Sequence, residues 1–193
     1  MSRPYLRHLI LVFTVTIGPF VAHAGELPDF VGLTGVDAGL AINLGASDGK
    51  AELQLAQSGR LLVHGLAFEQ TELENARARI QQEGIYGLAS VHLGQPGARL
   101  PYADDIANLI VADLDTLGEH APPMEEIERV LAPGGVAYLR RDGGWEKLEE
   151  TVPDDVDTWP QWDHGADGNP FSIDERVAPT TSLRWLAGAT AVD

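Results

Sequence analysis

MEEIERVLAPGGVAYL, residues 124–139, joins a short amphipathic helix to an apolar strand through a Pro-Gly-Gly turn. Met124, Ile127, Val130 and Leu131 recur at helical spacing, Pro133 stops the helix, and Gly134 with Gly135 frees the backbone to reverse before the strand at 136–139. This is one α-to-β step of a doubly wound sheet. Working outward, further apolar runs stand at 40–44, 61–66, 88–93 and 109–112, with helical patterns between several of them. The clearest covers 71–83, where Thr71 and Glu74 read as a capping box, Leu73, Ala76 and Ile80 as the buried stripe, and Gly84 as the C-terminal cap. A weaker helix follows Gly49 up to Ser58. Continuous apolar strands alternating with helices predict an α/β fold, an incomplete Rossmann-like doubly wound parallel sheet of about five strands.

The two ends differ from this middle. Arg3, Arg7 and His8 precede an apolar run at 9–20, and Ala22-His23-Ala24 puts small residues where a signal peptidase cuts, the layout of a secretory signal peptide. That run is short of the roughly 20 residues a membrane span needs. The expectation is cleavage near Ala24 and export, periplasmic or extracellular, with no membrane attachment afterwards. All four tryptophans, Trp145, Trp159, Trp162 and Trp185, fall after residue 144, amid acidic runs and prolines. The expected organisation is therefore a signal peptide over 1–24, one α/β domain over 25–141, and a linker with an irregular Trp-rich tail over 142–193.

Composition removes several functions. There is no cysteine, so no disulfide framework and no thiolate metal site. Against 29 Asp and Glu stand 13 Lys and Arg, a formal net charge of −16, which repels phosphate backbones and anionic membranes. Nucleic acid is not an expected partner. No Gly-x-Ser-x-Gly elbow, P-loop lysine or His-Glu-x-x-His is present, so nucleophilic and metal hydrolysis lack support. A nicotinamide-type site lacks its Gly-x-Gly-x-x-Gly fingerprint. His64 and His92 would lie on neighbouring strands, but apolar residues flank each of them, which favours hydrogen-bonded strand histidines over a metal or acid–base pair.

In a doubly wound sheet the ligand sits beyond the carboxyl ends of the strands, where strand order reverses. That points to the loop Gly45-Ala46-Ser47-Asp48-Gly49, where glycine lets a ligand approach the backbone. AINLGASDG at 41–49, LPYADDIANLIVAD at 100–113 and the 124–139 step together resemble the class I S-adenosylmethionine-dependent methyltransferase domain in order and spacing, over about residues 37–140.

The resemblance implies that Gly45, Ser47, Asp48 and Gly49 hold the methionine part of S-adenosylmethionine. Asn43 stands for the family's acid and Ser47 for its middle glycine. At the end of the second strand the family's Val-x-Gly-x-Asp pattern reads Val63-His64-Gly65-Leu66-Ala67, so the ribose-binding acid is replaced by Ala67, with Glu69 the nearest substitute. Asp104 or Asp105 would stand near the adenine and Asp113 near the transferred methyl, while Asn108 takes the place of the aspartate before the fourth strand. No Asn-Pro-Pro-Tyr or Asp-Pro-Pro-Tyr motif occurs. The family's further helix and antiparallel strand pair after strand five have no counterpart in this reading.

Residues 159–188 resemble the opening segment of exported β-propellers of the pyrroloquinoline quinone repeat type, with Trp159, Trp162 and Trp185 as apolar anchors. Asp163, His164, Asp167 and Asn169 are an alternative cation set whose spacing departs from an EF-hand. A propeller closes only with several blades of about 40 residues, so this chain alone would not bind pyrroloquinoline quinone, and its expected partner is the propeller portion of a longer protein. Two functions follow. One is a silent, degenerate methyltransferase-like module of an exported propeller protein. The other is an active S-adenosylmethionine-dependent methyltransferase of unknown substrate.

Overall fold

The computed structural model describes residues 27–95 and 99–155, together with positions 157, 162, 164, 165, 168, 171 and 172. The expected signal peptide lies outside the described residues, as do Trp159, Trp185 and most of the expected propeller-like segment. Trp162 is described, and it is 93% exposed.

Six strands form one sheet, β1 (Gly39–Leu44), β2 (Leu61–Ala67), β3 (Ala89–Leu93), β4 (Ala107–Asp113), β5 (Leu131–Arg141) and β6 (Gly144–Glu149). Their spatial order is β3-β2-β1-β4-β5-β6. The first five are parallel, and the order reverses at β1, whose loop therefore opens into the crevice between the two halves. The helices are α1 (Phe30–Thr34), α2 (Lys50–Ala56), α3 (Gln70–Gln82), α4 (Leu114–Leu117) with a 3-10 turn at Gly118–His120, and α5 (Met124–Val130).

Alternate residues of β1, β2, β4 and β5 feed two cores. Ala41, Val63, Val91 and Leu109 face α1, α2 and α3, packing with Phe30, Leu55, Leu73, Ala76 and Ile80. Ile42, Leu44, Leu66, Ile110 and Leu139 face α4 and α5, packing with Leu117, Ile127 and Val130. Two buried faces explain why these strands read as unbroken apolar runs. The second face is incomplete: no helix appears among the described residues of the β3–β4 crossover, and Leu62 stays 54% exposed. Among the described residues no helix is long and apolar enough to cross a membrane.

Three expectations need correction. The sheet has six strands, because the chain turns at Asp142 (φ 53°) and Gly143 (φ 78°) and returns as β6, antiparallel to β5. A two-residue turn with both centres at positive φ is the type that joins antiparallel strands. The boundary expected at residue 141 thus falls inside a hairpin, which Asp115 pins by accepting from the Asp142 and Gly143 amides, each at 2.9 Å. Trp145 of β6 stacks on Tyr138 at 5.0 Å between ring centroids and meets Phe30 edge-on at 5.9 Å.

The second correction concerns residues 131–135. Helix α5 ends at Val130, and Leu131 already pairs with Ala107, while Val136 pairs with Leu109. The Pro-Gly-Gly stretch is a bulge within β5 rather than a turn before it. Gly135 is required there by space, since a Cβ would stand 2.7 Å from the carbonyl oxygens of Ala107 and Ala132. Third, α3 begins one residue earlier than expected. Its N-cap is Glu69, whose amide donates to Glu72 Oε2 at 3.3 Å, so the capping box is Glu69 with Glu72 instead of Thr71 with Glu74.

Candidate functional site

The loop at 45–49 leaves the carboxyl end of β1 and enters α2. Its start is tied to β2, because the Gly45 and Ala46 amides both donate to the Leu66 carbonyl at 2.9 Å. Its end is set by Gly49 at φ +77°, where a Cβ would lie 3.0 Å from the Ala76 carbonyl oxygen of α3. Asp48 accepts from the Lys50 amide at 3.1 Å and pairs with Lys50 Nζ at 2.7 Å, and its carbonyl accepts from Arg79 Nε at 2.5 Å. Burial pushes the Asp48 carboxyl up, but the Lys50 hydrogen bonds and charge, with Arg79, outweigh it and hold the group below the usual range. Ser47 is exposed at the tip.

Beneath this loop lies a polar pair. Asn43 of β1 is 6% exposed and Glu52 of α2 only 1%, and Asn43 Nδ2 donates to Glu52 Oε1 at 2.6 Å. Burial raises the Glu52 carboxyl, with Asp48 adding to the shift and the Asn43 hydrogen bond opposing it. Gly65 makes the room, since a Cβ there would meet Glu52 Oε1 at 2.5 Å and Ala46 Cβ at 2.8 Å. A buried carboxyl carried by the helix thus stands against the side chain of position 43. Reading for apolar runs overlooked Glu52; its place on the stripe shared with Leu55 and Ala56, both buried, is the signal that marks it.

On one side of the loop, β2 ends at Ala67, which is fully buried in the cluster that holds Leu73 and Ala76. Phe68 follows and stacks on His120 at 5.4 Å and 7°. Glu69 is exposed and caps α3. On the other side, β4 ends at Asp113, whose Oδ1 accepts from the Thr116 amide at 3.0 Å and whose Oδ2 pairs with Arg140 Nη1 at 2.9 Å. Leu117 follows, and its Cδ2 would lie 3.1 Å from a Cβ at Gly45, which packs the β4 loop onto the β1 loop.

The structure therefore brings Gly45, Ser47, Asp48 and Gly49 together, with Glu69 and Asp113 at the flanking strand ends. It separates Asp104 and Asp105 from them. These two precede β4 at the amino end of the sheet, where the Asp105 amide donates to the Arg129 carbonyl. Asp104 pairs with Arg129 at 2.6 Å and with Arg99 at 3.1 Å. The Arg129 hydrogen bond, outweighing burial and helped by Arg99, holds the Asp104 carboxyl low. Among the described residues no group of three or more His, Asp or Glu is placed to hold a metal.

The family model described as a methyltransferase domain matches residues 37–166, more than half of the chain. The methyltransferase GfsG of Streptomyces halstedii is 32% identical over 96 residues, 49% of this chain and 34% of that protein. The chain thus spans about a third of the length of that curated relative. Among solved structures, a protein of Methanococcus maripaludis described as an S-adenosyl-L-methionine-dependent methyltransferase is similar at 24% identity and TM-score 0.50, covering 56% of this chain and 50% of that one. A Galdieria sulphuraria protein described as a sarcosine dimethylglycine methyltransferase reaches 22% identity and TM-score 0.49, covering 56% and 42%. At these identities a structural likeness speaks to the fold alone. With strand order, reversal point and family match in agreement, the chain belongs to the methyltransferase-domain family.

Proposed function

We propose that this chain is a degenerate methyltransferase-fold module, serving binding or assembly in an exported protein that carries a propeller of the pyrroloquinoline quinone repeat type. One observation carries the loss of catalysis: the strand end that should present a carboxylate to the ribose hydroxyls ends in Ala67, with no exposed surface. The neighbouring carboxylates do not make good the loss. Glu69 caps α3, and both oxygens of Asp113 already have partners. The residues present suit the methionine half of S-adenosylmethionine at Gly45–Gly49 and not its nucleoside half.

The expected leader supports the same reading, because S-adenosylmethionine is made in the cytosol and an exported domain is parted from it. Calorimetry of the full chain with S-adenosylmethionine and S-adenosylhomocysteine tests the proposal. No heat at millimolar ligand supports it, and micromolar binding overturns it. Export is tested separately by N-terminal sequencing of the protein recovered from its own cells: a start near Gly25 supports it, and an intact Met1 refutes it.

A second reading, a working methyltransferase, is favoured by the glycine-bounded loop at the reversal point. It predicts turnover of the methyl donor in the presence of a cytosolic extract, measurable as S-adenosylhomocysteine release.

A further inference from the structure

His64 of β2 lies on the sheet face beside the β3–β4 crossover, among whose described residues no helix occurs. Its Nδ1 meets Tyr102 Oη at 2.6 Å, and its Nε2 meets His92 Nδ1 of β3 at 2.6 Å. The two imidazoles lie 4.8 Å apart by centroid, and the tyrosine ring stands edge-on to His64. Three side chains from three segments thus form one hydrogen-bonded row, from the half-buried Tyr102 to the exposed His92. Tyr102 belongs to the crossover, which leaves β3 beside the crevice and passes to the amino end of β4. On its far side this crossover is held by α5: Glu126 accepts from the Leu100 amide at 3.0 Å, and Arg129 donates to the Tyr102 carbonyl at 3.0 Å.

We propose that Tyr102, His64 and His92 form an acid-sensitive clamp that holds the β3–β4 crossover on the sheet at neutral pH and releases it on acidification.

Hydrogen counting gives the reason. With both rings neutral, Tyr102 donates to His64 Nδ1, His64 Nε2–H donates to His92 Nδ1, and every contact is satisfied. One added proton reverses the row: His92 donates to His64, and His64 donates to the Tyr102 oxygen. A second proton puts N–H groups face to face between the rings, with like charges beside each other, and the row parts. Burial, with the neighbouring His92 second, holds His64 below the ordinary histidine value. The unfolded chain therefore takes up the proton first, and the clamp's contribution, complete above about pH 6.5, falls away as pH drops through the lower folded value.

Among the described residues, other charges do not rescue it. Facing His64 are His92 from β3 and Tyr102 from the crossover, while β1 offers apolar Ile42 in register. Behind Tyr102, Arg99, Asp104, Glu126 and Arg129 pair with one another.

Hydrogen exchange on the full chain, corrected for the intrinsic pH effect, tests the clamp. The Leu100 amide, which donates to Glu126, should exchange about tenfold faster at pH 5 than at pH 7.5, as expected for loss of one hydrogen-bonded anchor. In His92→Gln the amide oxygen accepts from a charged His64, so the acid-induced rise should vanish. In Tyr102→Phe exchange should be fast at both pH values. Independently of any variant, ring-nitrogen NMR of the wild type should show His64 titrating below the ordinary histidine value. A crossover whose protection does not change with pH, a His92→Gln protein as acid-labile as the wild type, or a His64 that titrates at the ordinary histidine value would each overturn the clamp.

Discussion

Replacing Ala67 with aspartate puts back the carboxylate at the end of β2, and the structure sets what it gains and costs. A ribose offers two hydroxyls. A hydrogen bond to a charged acceptor contributes about 1.5 to 3 kcal/mol, so one restored bond improves the dissociation constant of S-adenosylhomocysteine by about tenfold to a hundredfold. The cost appears without ligand. Ala67 is fully buried beside α3, and taking a carboxylate out of water costs several kcal/mol unless it turns toward the crevice. Each kcal/mol lowers the melting temperature by about 2 to 4 °C in a chain of this size. Ala67→Asp should therefore melt earlier than the wild type when free and regain stability as the nucleoside is added. Calorimetry gives the affinity and thermal unfolding with and without ligand gives the coupling. A folded Ala67→Asp protein whose affinity matches the wild type, or which likewise shows no binding, refutes the placement of the ribose pocket at the end of β2.

Three further expectations concern the frame around the crevice. Gly49→Ala forces a side chain into φ +77° and to 3.0 Å from the Ala76 carbonyl, and should cost about 1 to 3 kcal/mol by chemical denaturation; an unchanged midpoint would show that the loop is loosely held. Glu52→Gln keeps the acceptor for Asn43 and removes the ionisable proton. Since burial raises the Glu52 carboxyl, the wild type holds its full stability at low pH and loses some as pH rises through the folded value. The variant should match it near pH 4 and melt higher near pH 8, and parallel melting curves at both would contradict the buried neutral acid. Asp115→Ala removes the acceptor for two hairpin amides and should cost about 1 to 2 kcal/mol, with faster exchange confined to 142 and 143; exchange left as in the wild type would show that the turn needs no such anchor.

The parallel sheet was legible because strands buried on both faces write themselves as unbroken apolar runs, and the crevice loop because it follows the first such run between two glycines. Strand β6 was not, for the opposite reason. GWEKLE is exposed along most of its length, with only Trp145 and Leu148 half-buried, and it is held by backbone pairing and an aromatic stack that no apolar pattern announces. The β5 bulge escaped notice because Pro-Gly-Gly marks a turn and a bulge equally well, and only the pairing of Leu131 with Ala107 separates them. At the site, the four loop residues were visible from spacing. The detachment of Asp104 from the crevice depends on the path of the crossover, which runs to the far end of the sheet before β4 begins. Neither the Asn43–Glu52 exchange nor the Tyr102–His64–His92 row has a local signature, since their members lie on different segments.

Because β6 runs against β5, it carries the polypeptide back to the end of the sheet remote from the ligand crevice, where the Glu150 amide and carbonyl bond to Gly135 and Gly134. Whatever is attached after this point departs from the underside. A fluorescent reporter inserted directly after Glu150 would therefore start on the side turned away from the mouth.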